Sequence, residues 1–314
     1  MQYVIGIDGG GTNSRLLAVD TQGRVLGRQR GRSTNPESNK PHVVLRRLQE
    51  LVGSFLQASG SRPEDCLALC VGTAGVDTQA SLEAIEELVA QIDLPCPKVV
   101  VNDAQAALYS NTQGGPGILL NVGTGSIAFG INSQHHALRV GGYGYLIGDE
   151  ASAYWVAKEG IRRALHAHDG VGQDTMLVAL LQEKLGLASI VDVFDYVHAH
   201  NKADIARLSP LVTQAQQAGD QVAGEIMVEA RDYLLQCIQA LLKRLQMNPA
   251  EHTLYIMGGL LLNSDWLLNA IKEGLRQRCP GLQVLPMTEE AEWGAVYQAA
   301  ELAGISLPTL SAEN

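Results

Sequence analysis

Two segments of this chain share one pattern, in which a short apolar strand runs directly into a turn of glycine, threonine and serine. The first segment is 5–12, where Asp8 ends the strand, and the second is 119–126, where Asn121 takes the equivalent place. Each turn leads into another strand-like run, as in a hairpin with a glycine turn. The repetition indicates a duplicated unit, and two such units facing each other would bring the two turns together across a cleft.

The rest of the chain alternates strand and helix signals, which is typical of an α/β fold. Apolar residues recur at helical spacing over roughly 41–58, and a long apolar stripe covers 222–245. The run at 66–71 is predicted to be a buried strand, and the run at 98–101 a further strand. A length of 314 residues favours two domains. We expect an N-terminal lobe over 1–112, completed by the C-terminal segment 300–314, and a C-terminal lobe over 113–299.

Composition excludes several classes of function. The chain has 23 Lys and Arg against 33 Asp and Glu, a net charge of −10, so it lacks the basic surface that nucleic acid or an anionic membrane would require. No segment supplies the roughly 20 consecutive apolar residues of a membrane span, and the first residues lack the pattern of a signal peptide. The five cysteines are scattered and form no CxxC pair, which favours a reducing, cytoplasmic environment.

Three glycine turns offer backbone N–H groups to an anion. They lie at 8–12, 123–126 and 258–259, each directly after a predicted strand. Without a Cβ atom, such turns can approach a phosphate closely. The first is not a P-loop, because no GKS or GKT follows, and by itself it fits an ordinary hairpin turn equally well. Two symmetric donor loops, however, suit the β- and γ-phosphates of a nucleotide.

These turns carry a resemblance that covers nearly the whole chain. Together with a C-terminal helix from Trp293, they resemble the phosphate 1, phosphate 2 and adenosine motifs of the actin/hexokinase-type ATPase superfamily. Within it, Ser33-Thr34-Asn35 and the motif GGYGYLIGDEASAYW at 141–155 are similar to the N-acetylglucosamine kinase branch of the BadF/BadG/BcrA/BcrD ATPase family. The resemblance implies an α/β protein of two ribonuclease-H-like lobes with an interlobe cleft. It also implies ATP and Mg²⁺ as cofactors, and transfer of the γ-phosphoryl group to the 6-hydroxyl of an amino sugar, N-acetyl-D-glucosamine first among them.

The resemblance assigns the nucleotide to the glycine loops. The residues that it implies for ATP are Gly10, Gly11, Thr12, Asn13, Gly123, Thr124, Gly125, Ser126, Gly258 and Gly259. Asp8 could be only a turn residue. Beside a phosphate loop, however, its carboxylate can hold the hydration shell of Mg²⁺, an ion that keeps several waters and takes few protein ligands. We therefore expect Asp8 to be the metal residue.

Two further aspartates each allow two interpretations. Asp103 ends a strand and precedes a helical run, so it could be a helix N-cap. The resemblance instead makes it the catalytic base, which orients the acceptor hydroxyl and takes its proton. Asp149 could likewise cap the next helix, predicted over 151–158, and the resemblance places it on a sugar hydroxyl.

The sugar site that the resemblance implies combines hydroxyl and amide groups, which match vicinal sugar hydroxyls. Its members are Thr34, Asn35, Thr73, Gly75, Asp103, Gly142, Tyr143, Gly144 and Asp149. The chain departs from the family pattern at two positions, with Tyr143 where Trp is expected and Ala151 where Gly is expected. Glucosamine and N-acetylmuramate therefore stay open beside N-acetylglucosamine.

Two alternatives belong to other classes of protein. An ATPase that activates a CoA-ester dehydratase or reductase needs cysteines for an iron–sulfur cluster, and Cys66, Cys70 and Cys96 do not follow such a pattern. A sugar-sensing binding protein would need neither Asp8 nor Asp103. The expected partners are the sugar and ATP. The sequence does not fix the oligomeric state, and a homodimer is our expectation.

Overall fold

The computed structural model describes residues 1–10, 13–36, 38–76 and 78–308. They form two compact units, unit 1 with Met1–Pro116 and residues 288–308, and unit 2 with Gly117–Met287. Each unit is built on one five-stranded sheet. Over these described ranges, every helix is too short or too polar to cross a membrane.

The elements alternate along the chain as the sequence predicts. The strands are β1 (Tyr3–Gly9), β2 (Asn13–Asp20), β3 (Val25–Arg32), β4 (Cys66–Thr73), β5 (Lys98–Asn102), β6 (Gly117–Val122), β7 (Ser126–Ile131), β8 (Ala137–Gly141), β9 (Thr253–Met257) and β10 (Gln283–Pro286). The helices are α1 (Pro41–Ser59), α2 (Gln79–Ala90), α3 (Asp103–Thr112), α4 (Ala153–His168), α5 (Leu177–Leu185), α6 (Val193–Ala199), α7 (Lys202–Ala206), α8 (Ser209–Gln217), α9 (Gln221–Leu245), α10 (Gly259–Leu262), α11 (Asp265–Arg278) and α12 (Ala291–Leu302).

The two sheets have the same strand order. It is β3-β2-β1-β4-β5 in unit 1 and β8-β7-β6-β9-β10 in unit 2. In each sheet the first strand in the chain pairs antiparallel with the second and parallel with the fourth. The repeated strand and turn of the sequence thus reflects two sheets of one topology, and each repeated turn joins the first two strands of its sheet.

Helix α12 packs in unit 1, which moves the predicted domain boundary. Residues 288–299, assigned from the sequence to the C-terminal lobe, belong to unit 1. Two glycines allow this packing, because a Cβ on Gly6 of β1 would lie 2.4 Å from the Val296 nitrogen, and one on Gly294 would lie 1.7 Å from the Ala106 oxygen. The helix backbone therefore lies directly on β1 and α3, and its buried side chains complete the core of unit 1.

The core of unit 2 forms around α9. The apolar stripe predicted from the sequence is the buried face of this helix, where Ile226, Ala230 and Leu241 have no exposed surface. They share one hydrophobic cluster with Ile118 and Leu120 of β6. Strand β6 is thereby fixed up to the loop that follows it.

Candidate active site

Asp103 is the first residue of α3, at the carboxyl end of β5. The Asn102 side chain occupies the N-cap position and accepts a hydrogen bond from the Ala104 N–H at 2.8 Å. The Asp103 carboxylate accepts from the same N–H, also at 2.8 Å, and Asp103 is exposed. The N-cap interpretation of Asp103 is therefore wrong, because Asn102 has that position. A helix N-terminus favours a negative charge at this place.

Asp8 lies near the end of β1 among other carboxyl groups. Burial raises the pKa of Asp8 to about 6, and the negative charges of Glu292 and Asp103 add to the shift, while Arg15 opposes it. Arg15 faces Asp8 across the hairpin as its register partner. The negative charge of ionised Asp8 is thus only partly compensated in unit 1.

Glu292, at the start of α12, is a charged residue that sequence reasoning missed. It is 3% exposed, and its Oε2 atom lies 3.8 Å from Arg15 Nη1 and accepts no hydrogen bond from any residue that the structure describes. Burial raises the pKa of Glu292 as well. A glutamate in the first turn of a helix is normally solvated and gives no motif, so only the packing of α12 reveals this one.

The loop between β1 and β2 is fastened to the polar segment 33–35. The Gly10 carbonyl accepts a hydrogen bond from Ser33 Oγ at 3.0 Å. A Cβ on Gly10 would lie 2.7 Å from the Asn13 carbonyl oxygen, so Gly10 lies close to the start of β2. Gly11 and Thr12, both predicted to bind ATP, lie outside the described residues.

The predicted sugar residues of unit 1 are largely buried. Thr34 Oγ1 lies 2.8 Å from Ser14 Oγ, and the Thr34 N–H donates to that oxygen at 3.0 Å. The Thr73 hydroxyl donates to the Ala74 carbonyl at 3.1 Å. It also donates to the Gly9 carbonyl at 3.4 Å, so both hydroxyls are engaged in bonds between neighbouring segments of unit 1. Asn35 is 7% exposed.

Gly75, which is also predicted to belong to the sugar site, lies just after β4. Its φ of 77° lies in the left-handed region that favours glycine. The glycine at position 75 therefore serves the turn itself.

The loop between β6 and β7 is bonded internally and to the start of α4. The Gly123 N–H donates to the Gly125 carbonyl at 2.9 Å, and the Gly123 carbonyl accepts from the Ala153 N–H at 2.8 Å. The Ser126 hydroxyl donates to the Glu150 carbonyl at 2.6 Å. Two predicted phosphate donors, the Gly123 N–H and the Ser126 hydroxyl, are thus engaged within the protein.

A cavity of about 550 Å³ opens beside this loop in unit 2. Its wall includes Gly123 and Thr124 of the loop and Gly259 at the start of α10, so three predicted nucleotide residues meet in one cavity. Cavities of this size with apolar walls and a few polar groups are typical small-molecule sites. Another part of the wall comes from α7, α8 and the residues between them, a helical segment without any motif that the sequence reasoning missed. Its members are Ala203, Ala206, Arg207, Ser209, Pro210, Thr213, Gln214 and Gln217.

Gly258 and Gly259 differ in their surroundings. Gly258 has a φ of 99°, and a Cβ there would lie 2.3 Å from the Val122 carbonyl carbon. Gly258 therefore allows the end of β9 to lie against the end of β6. A Cβ on Gly259 would meet nothing closer than 3.7 Å, and this residue faces the cavity.

Asp149 lies beneath the β6–β7 loop and not at a helix cap. It is 4% exposed, and its carboxylate accepts a hydrogen bond from Lys202 Nζ at 2.8 Å. A Cβ on Gly125 would lie 3.0 Å from that carboxylate. Ser152 caps α4 by accepting from the Trp155 N–H at 3.1 Å. The capping interpretation of Asp149 is therefore wrong, and the helix begins two residues later than predicted.

The other predicted sugar residues of unit 2 form a surface loop. Gly142 and Gly144 have φ of 71° and 81°, and the Tyr143 ring between them is 57% exposed. The Arg139 guanidinium lies 5.0 Å from the centre of that ring. Ala151, where the family pattern has Gly, also has a positive φ, 64°, which explains why glycine fits that position.

Known structures share this fold. A protein from Chromobacterium violaceum is 24% identical, with a TM-score of 0.74 over 96% of this chain and 99% of its own. The ROK hexokinase from Thermus thermophilus is 18% identical, with a TM-score of 0.60 over 95% of this chain and 97% of its own. The predicted class is confirmed, since the protein has the two-lobed α/β fold of the actin/hexokinase-type ATPases.

The chain belongs to the BadF/BadG/BcrA/BcrD ATPase family, whose model matches residues 5–297. It is 33% identical over 301 residues to an N-acetylmuramic acid/N-acetylglucosamine kinase from Clostridium acetobutylicum, covering 95% of this chain and 98% of the relative. It is 29% identical over 319 residues to an N-acetyl-D-glucosamine kinase from Dictyostelium discoideum, with the same coverage of 95% and 98%. The family predicted from the loops and from 141–155 is thus confirmed.

Proposed function

We propose that this protein is an ATP-dependent kinase that transfers the γ-phosphoryl group to the 6-hydroxyl of an amino sugar, N-acetyl-D-glucosamine in the first place. The observation that carries the proposal is the cavity of unit 2, in which residues of two separate glycine loops, Thr124 and Gly259 among them, line one space. Both sequence relatives described above are amino-sugar kinases by name, which supports the acceptor class.

The nucleotide occupies that cavity. Ala203, Ala206 and Pro210 supply apolar surface for the base, and Thr124 and Gly125 present the remaining donors of the β6–β7 loop. Ser126 and Gly258 contribute by shaping the loop, since the hydroxyl of the first is engaged and the second lies against β6. In unit 1, the equivalent loop offers Gly10, Gly11, Thr12 and Asn13 to phosphate.

Asp103 is the catalytic base of the proposed reaction. Its carboxylate is exposed at the first position of α3, while the cap is supplied by Asn102. A carboxylate in this position can accept the hydrogen bond of an acceptor hydroxyl, orient its oxygen and take its proton as the phosphoryl group arrives.

Asp8 fits a role beside Mg²⁺. Its ionised form is opposed by burial and by the charges of Glu292 and Asp103, so a divalent cation nearby would relieve an existing imbalance. Over the described ranges, no three His, Cys, Asp or Glu side chains are arranged to hold a metal by themselves. Asp8 would therefore act through the hydration shell of an ion that arrives with ATP. When bound, that ion would neutralise part of the negative charge of the phosphates.

The sugar is held by hydroxyl, amide and carboxylate groups. In unit 1 these are Thr34, Asn35, Thr73 and Asp103, with Gly75 shaping the turn. In unit 2 they are Asp149 and the loop with Gly142, Tyr143 and Gly144. Arg139 beside Tyr143 favours N-acetylmuramate as a second acceptor, because this sugar carries a carboxylate that a guanidinium can pair with. Glucosamine stays a third candidate.

A coupled ADP-release assay tests the proposal. We expect slow ADP release from Mg-ATP alone and fast release with N-acetylglucosamine, because a kinase of this fold closes on its acceptor and excludes water. Glucosamine, N-acetylmuramate and glucose complete the panel. Equal release with and without every sugar would favour the activator ATPase. Sugar binding without any ADP release would favour the sensor.

The proposed cellular location is based on the state of the cysteines. All five cysteines, which lie within the described ranges, are free thiols, as expected in a reducing compartment. We therefore propose a cytoplasmic protein. The homodimer stays a prediction, which light scattering of the purified protein would check.

A further inference from the structure

Lys202, the first residue of α7, contacts Asp149 and Tyr145 and directly precedes a residue that lines the cavity. Its Nζ atom lies 2.8 Å from Asp149 Oδ2 and 5.6 Å from the centre of the Tyr145 ring. Ala203, the next residue, and Ala206, one turn further, line the 550 Å³ cavity. Lys202 thus stands where the cavity wall meets the Asp149 carboxylate.

The Asp149 carboxylate depends on this partner. It is 4% exposed, and burial of a carboxylate without a counter-charge is costly. The Ser126 N–H also donates to this carboxylate, at a long distance of 3.5 Å. The Lys202 ammonium therefore fixes the direction of the Asp149 carboxylate, which is left with acceptor capacity for a further donor.

The turn that carries Asp149 is fastened to the β6–β7 loop. Ala153 donates to the Gly123 carbonyl at 2.8 Å, and the Ser126 hydroxyl donates to the Glu150 carbonyl at 2.6 Å. Loop and turn are therefore one bonded unit, and Lys202 is its link to α7. A ligand that fills the cavity contacts both sides of that link, through Gly123 on one wall and Ala203 on the other.

We propose that Lys202 is a positioning residue that couples occupation of the nucleotide cavity to the Asp149 carboxylate, and so to sugar binding. The inference rests on the proposed function, which places a nucleotide in the cavity and a sugar hydroxyl on Asp149. Nucleotide packed against Ala203 and Ala206 restrains α7, and α7 restrains the Lys202 ammonium. Asp149 then meets the sugar in one orientation, and the two ligands bind cooperatively.

Calorimetry measures this coupling directly. The dissociation constant of N-acetylglucosamine is determined with and without saturating Mg-AMP-PNP for the natural protein, Lys202→Met and Lys202→Arg. We expect the analogue to tighten sugar binding by a factor within the usual range of about 5 to 150. Lys202→Met should reduce that factor to below about 2, whereas Lys202→Arg, which keeps a charged donor, should retain most of it.

Lys158→Met is the matched control. Lys158 also approaches an aromatic ring, with Nζ 5.9 Å from the centre of Tyr154, but it is exposed and lines neither the cavity nor the Asp149 site. Its coupling factor should equal that of the natural protein. Thermal unfolding checks that each variant folds. If Lys202→Met does not, the double variant Lys202→Met/Asp149→Asn, which removes both charges together, takes its place with the same expectation.

The outcomes separate this inference from the proposed function. The inference is overturned if a folded Lys202→Met variant, or the double variant, keeps the coupling factor of the natural protein. It is also overturned if the natural protein binds the sugar and the nucleotide analogue independently. A natural protein that binds neither the sugar nor the nucleotide analogue overturns the proposed function instead.

Discussion

Asn102 and Asp103 stand side by side at the start of α3, and the two side chains accept hydrogen bonds from one N–H. Asn102 Oδ1 and Asp103 Oδ1 each lie 2.8 Å from the Ala104 nitrogen. The capping position belongs to Asn102. A charged residue at the next position is therefore not required by the helix, and its chemistry can be tested with little damage to the fold.

The first prediction concerns Asp103→Asn. We expect kcat to fall by roughly 10²- to 10⁴-fold, because the amide keeps the shape of the carboxylate but cannot take the proton of the acceptor. A transition state with little bonding to the nucleophile would place the loss toward the lower end. Sugar KM should change little, and the melting temperature should stay close to that of the natural protein. Steady-state kinetics and thermal unfolding measure these quantities.

Two variants serve as controls for Asp103→Asn. Asn102→Ala should lower the free energy of unfolding by about 1 kcal/mol, the usual value of an N-cap. Asp149→Asn should raise sugar KM with a smaller effect on kcat, because a ground-state contact is lost. If Asp103→Asn transfers phosphate at the natural rate in single-turnover experiments, the base lies elsewhere and Asp149 is the next candidate.

The second prediction is that Asp8→Asn stabilises the protein in the absence of nucleotide and metal. The pKa of Asp8 is raised from 3.8 to about 6 in the folded state, so the ionised carboxylate destabilises the fold above pH 6. Removing this charge should increase the free energy of unfolding at pH 7.5 by about 1–3 kcal/mol, at 1.36 kcal/mol per unit of pKa as an upper limit. Turnover with Mg-ATP should fall.

The sign of this effect fixes its pH dependence. A raised carboxyl pKa means that the folded state holds the proton more tightly, so the penalty is complete above about pH 6 and disappears as the pH falls from there toward 3.8. Urea unfolding at pH 7.5 and pH 4.5 should therefore show the full gain at the higher pH and only about a third of it at the lower, where the unfolded chain is already mostly ionised. An equal gain at both values would mean that the charge of Asp8 is not its cause.

The fold was predictable from the sequence because its signals are local. At 5–12 and 119–126, the apolar strand and the glycine turn are each specified by residues that are neighbours in the sequence. The missed residues depend on distant partners. Lys202 matters because Asp149 lies 2.8 Å from it across 53 positions of sequence, and Glu292 because α12 packs onto unit 1. Neither relationship leaves a periodic or motif signal.

The cap interpretation of two aspartates fails for a related reason. Asp103 and Asp149 both precede helices, and aspartate is a favoured cap. In each case a neutral neighbour, Asn102 or Ser152, has the cap position instead. Asp103 lies one residue past the N-cap of α3, and Asp149 lies three residues before the N-cap of α4. Sequence patterns do not resolve helix ends to one or two residues.

The third prediction concerns the buried pair Thr34 and Ser14. Thr34→Val removes one hydroxyl of a pair 2.8 Å apart, and leaves Ser14 without that partner in the interior. We expect a loss of about 1–3 kcal/mol in the free energy of unfolding. Ser14→Ala should cost a similar amount, and the double variant less than the sum of the two. Urea unfolding of the four proteins gives the coupling. An unchanged stability with raised sugar KM would instead make Thr34 purely a binding residue.

The last prediction contrasts the adjacent glycines 258 and 259. Gly258→Ala places a Cβ 2.3 Å from the Val122 carbonyl carbon at a φ of 99°, and backbone strain together with overpacking should cost about 3 kcal/mol or more of stability. Gly259→Ala meets nothing closer than 3.7 Å, so the fold should persist.

The methyl group that Gly259→Ala introduces would lie at the cavity wall. We therefore expect Gly259→Ala to weaken ATP binding by roughly tenfold, about 1.4 kcal/mol, while the N-acetylglucosamine affinity measured without nucleotide stays as in the natural protein. Thermal unfolding and nucleotide titration of both variants check the contrast. Natural ATP affinity in a folded Gly259→Ala protein would mean that the nucleotide does not approach this turn, and a Gly258→Ala protein of natural stability would contradict the close contact between the ends of β9 and β6.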